Sequence, residues 1–164
     1  MRRTLLSIAA SLWLATVAFA GTPARIAVLD FELNDLTLDP RNAAELERTA
    51  SIKPLLEKAL NDAKHPTVAV SSAAQSGADR GVGYLFDHSD AAAALGRTVG
   101  ARWVVVGRVH KASFLFVYFM AHVVDVETGE QIANLVVEVK GPQKALTVRG
   151  VERLAGQIAM AVEK

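Results

Sequence analysis

The chain has 164 residues, of which 51% are hydrophobic and 6% aromatic, with 18 lysine and arginine residues, 17 aspartate and glutamate residues and no cysteine. This length predicts a single domain, and the balanced charge leaves no basic surplus to neutralise a phosphate backbone, so we expect no nucleic-acid partner. The absence of cysteine excludes disulfides, thiolate metal sites and thiol catalysis, and we also expect no lipid anchor.

Residues 1–20 have the pattern of a secretory signal peptide. Two arginines provide the positive start, an apolar stretch follows, and Ala18 and Ala20 form a small-x-small cleavage site. Serine and threonine interrupt the apolar stretch, which is shorter than the roughly 20 residues that a membrane span needs. We therefore expect cleavage, no membrane span after cleavage, and a single mature domain of residues 21–164 in a bacterial periplasm.

The first half of the mature chain predicts two strands with helical structure between them. Residues 25–33 are apolar on both parities, which is typical of a strand that is buried on both faces. Asn42 and Glu45 form a capping box that starts a helix, and Pro54 should either kink this helix or divide it into two short ones. Residues 67–70 predict the second strand.

The second half predicts a loop, a short helix, three strands and a last helix. Residues 71–87 contain three glycines and no apolar period, so we expect a long loop. Ser89 should cap a helix over residues 90–99, which Gly100 ends. The strands lie at 103–110, 114–126 and 130–140, and the last helix has an apolar stripe of Val151, Leu154, Ala155, Ile158 and Val162. The order βαβαβββα predicts an α/β fold with a five-stranded mixed sheet and a C-terminal helix.

The last three strands predict a meander with one apolar face. A turn at residues 127–129 pairs Val126 with Glu130, so that the numbers of opposed residues sum to 256. This register places one apolar set on a common face, which must belong to the core. That set consists of Val117, Phe119, Ala121 and Val123 on one strand and Ala133, Leu135, Val137 and Val139 on the next.

The opposite face of the meander mixes large apolar groups with charges. Such a face either binds a partner or is covered by a helix. The partner-binding residues that we predict there are Arg108, Phe116, Tyr118, Met120, His122, Asn134 and Glu138. If the preceding turn lies near Ala112, His110 and His122 are roughly 25 Å apart at 3.3 Å per residue, too far to share a metal ion.

Acidic residues cluster at the end of the first predicted strand. Asp30, Glu32, Asp35 and Asp39 lie where ligands of open α/β sheets commonly bind. Several carboxylates together suit a hard cation, so we consider Asp30, Glu32 and Asp35 as metal ligands. Neither a Gly-x-Ser-x-Gly elbow nor a phosphate-binding loop is present, and we expect no enzyme activity and no cofactor.

Two stretches carry a resemblance to bacterial envelope proteins: the opening IAVLDFE at residues 26–32 and DVETGE at residues 125–130. With the helices between them, they resemble the amino-terminal domain of TolB, the curli secretion channel subunit and the lipoprotein activators of penicillin-binding proteins. Residues 106–113 and the pair Arg149-Gly150 are similar to an uncharacterised family of secreted proteobacterial proteins, known as a domain of unknown function. The resemblance implies docking or assembly among envelope proteins and no catalytic residue.

The sequence therefore predicts a non-enzymatic periplasmic accessory protein that docks onto another envelope or periplasmic protein. A homo-oligomer is a further possible assembly. The alternative is a protein that binds a small ligand or a hard cation at the acidic end of the first strand.

Overall fold

The computed structural model describes residues 24–38 and 42–164. The predicted signal peptide at residues 1–20 and Asp39 of the acidic cluster lie outside these ranges. In the described chain, no helix is both long enough and apolar enough to cross a membrane. The elements are β1 (Ile26–Val28), β2 (Glu32–Asp35), α1 (Ala43–Asp62), β3 (Thr67–Val68), α2 (Ser72–Ala78), α3 (Tyr84–Asp87), α4 (Ser89–Thr98), β4 (Trp103–Lys111), β5 (Phe116–Asp125), β6 (Gln131–Lys140) and α5 (Lys144–Val162).

The strands form one mixed sheet in the order β3-β1-β4-β5-β6, with β2 also paired to β4. β1 is parallel to β3 and β4, and β2 is parallel to β4, whereas β4, β5 and β6 form an antiparallel meander. The predicted mixed α/β architecture is confirmed. The sheet has six strands rather than five because the predicted first strand is present as two segments.

A bulge divides this first strand. Val28 pairs with Val105 and Glu32 pairs with Arg108, so four steps along this segment match three steps along β4. Phe31 lies in the bulge with its ring against Gly107, where a Cβ atom would collide with it. The bulge cannot be recognised in the sequence, because Phe31 in the bulge is as buried as the neighbouring strand residues. The apolar pattern therefore continues through it.

Helix α1 begins as predicted and is not divided. The side chain of Asn42 accepts a hydrogen bond from the backbone N of Glu45 at 3.0 Å, which confirms the N-cap. Pro54 lies inside one continuous helix. Ile52 before the proline and Leu56 after it are both fully buried, so packing on both sides of Pro54 outweighs the lost backbone hydrogen bond.

The prediction of a loop over residues 71–87 is wrong, because this segment contains α2 and α3. The Ser71 side chain accepts from the backbone N of Ala74 at 3.1 Å and caps α2, which has no buried residue and therefore no apolar period in the sequence. Leu85 and Phe86 of α3 are buried. The following helix starts at Ser89 itself rather than being capped by it, and Gly100 follows its end with φ +66°.

The register of the meander is confirmed for one hairpin and wrong for the other. β5 and β6 pair with sums of 256 from Phe116–Lys140 to Val123–Ala133, after which a bulge shifts the register by one residue. The turn between β4 and β5 is centred on Phe114 rather than on Ala112. The register therefore shifts by an even number of residues, so that each residue stays on its predicted face of the sheet. His110 lies beside Tyr118 and His122 beside Val106, so the two histidines are about 13 Å apart along the strands.

Helices lie on both faces of the sheet and bury two apolar clusters. α1 and α5 pack on one face against the predicted core face of the meander, and the stripe residues Val151, Leu154, Ala155 and Ile158 are buried there. α3 and α4 pack on the opposite face, over β4 and the adjoining part of β5. The sheet is thus covered on one face and half covered on the other.

Candidate docking surface

The mixed face, predicted as a partner surface, consists of two different halves. The inner half, formed by Arg108, Met120 and His122, lies under α3 and α4. The outer half lies on β5 and β6 and consists of Phe116, Tyr118, Ile132, Asn134, Val136 and Glu138. The sequence left two alternatives for this face, a covering helix or a surface exposed to a partner. The structure shows a helical cover over the inner half and solvent exposure of the outer half.

His122 attaches α3 to the inner half. Its Nδ1 lies 3.0 Å from the carbonyl oxygen of Phe86, and because a carbonyl only accepts, Nδ1 carries the proton and donates it. The imidazole and the Phe86 ring have centroids 3.8 Å apart. Burial lowers the pKa of His122 below its ordinary value, with a smaller contribution from the nearby Arg108 guanidinium. His122 is thus a neutral structural group at neutral pH.

Arg108 holds the same covering segment by its charge. The guanidinium forms an ion pair with Glu32 on β2 and lies over the Phe86 ring, 4.1 Å from its centroid. The second carboxylate oxygen of Glu32 accepts from the backbone N of Gly83 at 2.7 Å. Met120 packs against the same apolar cluster. The predicted partner-binding residues of the inner half therefore make intramolecular contacts.

The outer half presents apolar side chains to solvent. Phe116 is 37% exposed, Ile132 43% and Val136 48%. Asn134 and Glu138 are exposed between them, and Tyr118 is half-buried beside His110. These residues form an apolar surface with polar groups around it, the composition expected of a protein interface.

The outer edge of β6 is also open. The backbone N of Gly141 donates to the carbonyl of Leu115 at 2.9 Å, and by the antiparallel alternation Asn134, Val136 and Glu138 turn their backbone groups away from β5. Arg153 on α5 satisfies one of these groups, since its Nη2 donates to the Glu138 carbonyl at 2.7 Å. No strand of the described chain lies beyond β6, and a groove of about 780 Å³ runs between its end and α5. Such an edge can accept a further strand.

A set of apolar side chains that sequence reasoning missed extends this surface at one end of the sheet. Leu36, Leu38, Phe114 and Leu115 are 63%, 98%, 65% and 66% exposed. The backbone N of Leu36 donates to Lys111 at 3.0 Å, which brings the segment after β2 beside the β4–β5 turn. The only signal in the sequence is the run Phe114-Leu115-Phe116, three large apolar residues without a polar one between them.

The predicted acidic ligands do not converge on one point. The carboxylate of Asp30 pairs with Lys53 at 3.1 Å, that of Glu32 with Arg108, and that of Asp35 with Lys111 at 3.1 Å. Within residues 24–38 and 42–164, no group of three or more His, Asp or Glu side chains is placed to hold a metal ion. A cleft of about 670 Å³ does lie beside β2, but its carboxylates are each neutralised by a separate cation.

Asp35 is the most deeply placed of these carboxylates, and its side chain has no exposed surface. Burial by itself raises the pKa of Asp35, but hydrogen bonds from Thr37 and Lys111 outweigh it and hold the pKa below its ordinary value. Thr37 donates from its hydroxyl at 2.7 Å and from its backbone N at 3.0 Å. Asp35 therefore fixes the end of β2 rather than offering a free ligand.

Solved structures share this fold at low sequence identity. The lipoprotein GNA1162 from Neisseria meningitidis matches with a TM-score of 0.55 and 16% identity, over 84% of this chain and 97% of that one. The PelC dodecamer from Paraburkholderia phytofirmans matches with a TM-score of 0.50 and 15% identity, over 79% and 84%. LpoB from E. coli matches with a TM-score of 0.50 and 20% identity, over 72% of this chain and 55% of LpoB. These likenesses confirm the fold resemblance drawn from the sequence.

A search of curated protein sequences finds no match. The family model DUF3280, described as "Protein of unknown function (DUF2380)", matches residues 24–158. This range contains every strand of the sheet and most of α5. The chain therefore belongs to the DUF3280 family.

Proposed function

We propose that the protein is a non-enzymatic accessory protein of the bacterial periplasm that docks onto another envelope or periplasmic protein. The docking surface is the outer half of the mixed face together with the open edge of β6. Export by a signal peptide at residues 1–20 is part of this proposal.

The observation that carries the proposal is the contrast within one sheet face. The inner half is covered by α3, whereas Phe116, Ile132 and Val136 remain exposed next to an edge strand of ten residues. Long edge strands with exposed apolar residues are aggregation sites unless they are protected or used. A partner that covers the outer half and pairs with β6 would bury the apolar groups and satisfy the outward backbone groups together.

The contacts of His88 and His122 support a role without catalysis for these two residues. The Nδ1 of His122 is hydrogen-bonded to the Phe86 carbonyl. The Nδ1 of His88 lies 2.9 Å from the carbonyl oxygen of Tyr84, and the His88 ring stacks on the Tyr84 ring with 4.3 Å between centroids. A general base needs a ring nitrogen directed at a nucleophile or substrate. Both of these rings use Nδ1 to stabilise α3 and its junction with α4.

Capture of partners from periplasmic extract tests the proposal. Val136→Asp and Ile132→Asp place a charge on the outer half, and we expect each to lower partner capture about tenfold or more, the loss typical of a central interface residue. The matched control is Val82→Asp, since Val82 is 87% exposed and lines the cleft beside β2, which contains no residue of β5 or β6.

Equal capture by the wild-type protein and both outer-half variants would contradict the proposed surface. An equal loss from Val82→Asp would contradict it as well, because the effect would then follow from charge alone. The fold neighbour PelC is a dodecamer, so light scattering on the purified protein is needed to distinguish a second copy from a different partner.

A further inference from the structure

Two neighbouring segments at one end of the sheet turn large apolar side chains toward solvent. One segment follows β2 and contains Leu36 and Leu38, and the other is the β4–β5 turn with Phe114 and Leu115. These four residues, named here the apolar tip, are 63–98% exposed. Neither residues 36–38 nor residues 112–116 contain a charged side chain. Folding thus joins two uncharged segments into one apolar surface.

The polar groups of the first segment are turned inward. Thr37 lies between the two leucines, and its hydroxyl and its backbone N both donate to Oδ1 of Asp35, at 2.7 and 3.0 Å. The Asp35 side chain has no exposed surface. Thr37 therefore uses its donors inside the protein, while Leu36 and Leu38 point outward.

The β4–β5 turn bonds its own backbone in the same way. The Ser113 hydroxyl oxygen accepts from the backbone N of Leu115 at 3.2 Å and from that of Phe116 at 3.1 Å. The carbonyls of these two residues accept from Gly141 at 2.9 Å and from Ala112 at 3.2 Å. The turn therefore presents its apolar side chains while most of its backbone hydrogen bonds are made within the protein.

This combination favours a lipid surface over a protein as the occupant of the apolar tip. Backbone groups that approach acyl chains need partners within the protein, since acyl chains offer none. A protein interface, in contrast, commonly has about one hydrogen bond per 100–200 Å². The two segments leave few groups for such bonds.

Positive groups lie beside the apolar tip and are complementary to lipid phosphates. The Lys140 side chain is 70% exposed, with its Nζ 5.5 Å from the centroid of the Phe116 ring. Exposed Lys144 begins α5, whose N-terminus has no side-chain cap and adds a partial positive charge. Glu138 lies 3.3 Å from Lys140, and Glu47 lines a cavity with Lys144, so these charges are partly offset. Apolar insertion should thus supply most of the binding, and anionic headgroups should strengthen it.

We propose that the apolar tip inserts into the interfacial region of a phospholipid bilayer, with Lys140 and Lys144 at the level of the headgroup phosphates. Such a contact needs no membrane-spanning helix. The tip contains no residue of the outer half, so this contact is independent of the proposed protein partner.

Sedimentation with vesicles tests the proposal. The protein is purified from the periplasm after loss of residues 1–20, because their apolar stretch would bind lipid by itself. The vesicles consist of an equal mixture of phosphatidylethanolamine and phosphatidylglycerol, or of phosphatidylcholine alone. We expect saturable binding to the mixture and weaker binding to phosphatidylcholine, with a blue shift in the fluorescence of Phe114→Trp but not of Met160→Trp. Binding to neither vesicle would overturn the proposal.

Variants of each segment locate the contact. Phe114→Ser with Leu115→Ser changes the turn, and Leu36→Ser with Leu38→Ser changes the segment after β2. We expect each pair to weaken binding to the mixture at least about tenfold, since apolar surface is no longer removed from water. Lys144→Glu should weaken it about fivefold, on the scale of one basic residue near an anionic surface. Thermal unfolding verifies that each variant folds.

Ile132→Ser with Met160→Ser is the matched control, because these residues are 43% and 60% exposed and lie far from the tip. Ile132 lies eight residues before Lys140 along β6, and Met160 sixteen residues after Lys144 along α5, roughly 25 Å in each case. Wild-type affinity in both tip variants, or an equal loss in the control, would contradict the tip as the contact. Tip variants that lose partner capture, in a protein that binds no vesicle, would assign the tip to a protein interface instead.

Discussion

The two halves of the mixed face have similar compositions but differ in exposure to solvent. Each contains aromatic, aliphatic and charged side chains, yet the inner half packs against Phe86 of α3, while Phe116, Ile132 and Val136 of the outer half remain exposed. The difference arises from a segment distant in sequence: the Phe86 ring of α3 lies against the His122 ring, and the Arg108 guanidinium lies over it. A mixed sequence pattern on one sheet face is therefore not by itself evidence for a partner. Evidence for a partner comes only from the part of the face that stays exposed after folding.

The largest expected effect comes from comparing one phenylalanine of each half. Phe86 is 7% exposed and Phe116 is 37% exposed. Phe86→Ala should lower the free energy of unfolding by about 3 kcal/mol, since it removes a buried ring and leaves a cavity. Phe116→Ala should cost less than about 1 kcal/mol. Urea unfolding measures both, and equal losses would show that the two halves are equally covered.

The ion pairs of the two halves should also differ. Arg108→Met leaves Glu32 partly buried without its cation and should cost about 1–2 kcal/mol, less than for a fully buried pair. Glu138→Gln breaks the exposed pair with Lys140 and should leave stability unchanged. The check is thermal unfolding of both variants. A stable Arg108→Met variant would mean that this ion pair does not hold α3 in place.

The pH dependence of stability should include a contribution from His122. Burial lowers the pKa of this imidazole in the folded state, so the unfolded chain, with an ordinary pKa of about 6.5, binds the proton more readily. The contribution is fully present above about pH 6.5 and is lost as the pH falls through that value toward the folded pKa.

Urea unfolding of the wild type and His122→Gln at about pH 7.5 and about pH 5.5 measures this contribution. The variant should lose less stability on acidification than the wild type does. Equal losses would contradict a buried neutral imidazole.

Only a small effect on stability is expected for Val136→Asp in the purified protein. Val136 is 48% exposed and no helix covers it, so the free energy of unfolding should change by less than about 0.5 kcal/mol. Thermal unfolding measures it. A large loss would mean that Val136 is buried in the free protein, and partner capture could then not be interpreted from this variant.

Apolar periodicity and turn residues were sufficient to predict the pairing of β5 with β6. The β5–β6 register followed from the turn at residues 127–129, where Gly129 has φ +76°. The β4–β5 turn was misplaced because the segment that turns, near Phe114 and Leu115, is apolar and has no glycine or proline. Helix α2 was missed because none of its residues is buried, so burial left no period in the sequence.

The candidate surface could be predicted only in part for a related reason. The alternation along β5 and β6 placed Phe116, Tyr118, Asn134 and Glu138 on one face, but it could not show that α3 would cover His122. That contact joins residues 36 positions apart, and the Glu32–Arg108 pair joins residues 76 apart. Pairing at such distances is decided by tertiary packing and not by local pattern.

Photo-crosslinking in intact cells shows directly whether the outer half contacts a partner. A photoreactive residue at position 136 on the outer half is compared with one at position 82, which is exposed outside it. We expect a discrete crosslinked protein from position 136 that disappears when Ile132→Asp is added, and no such product from position 82. The same crosslinked protein from both positions, or none from position 136, would contradict the claim that the outer half is a docking surface.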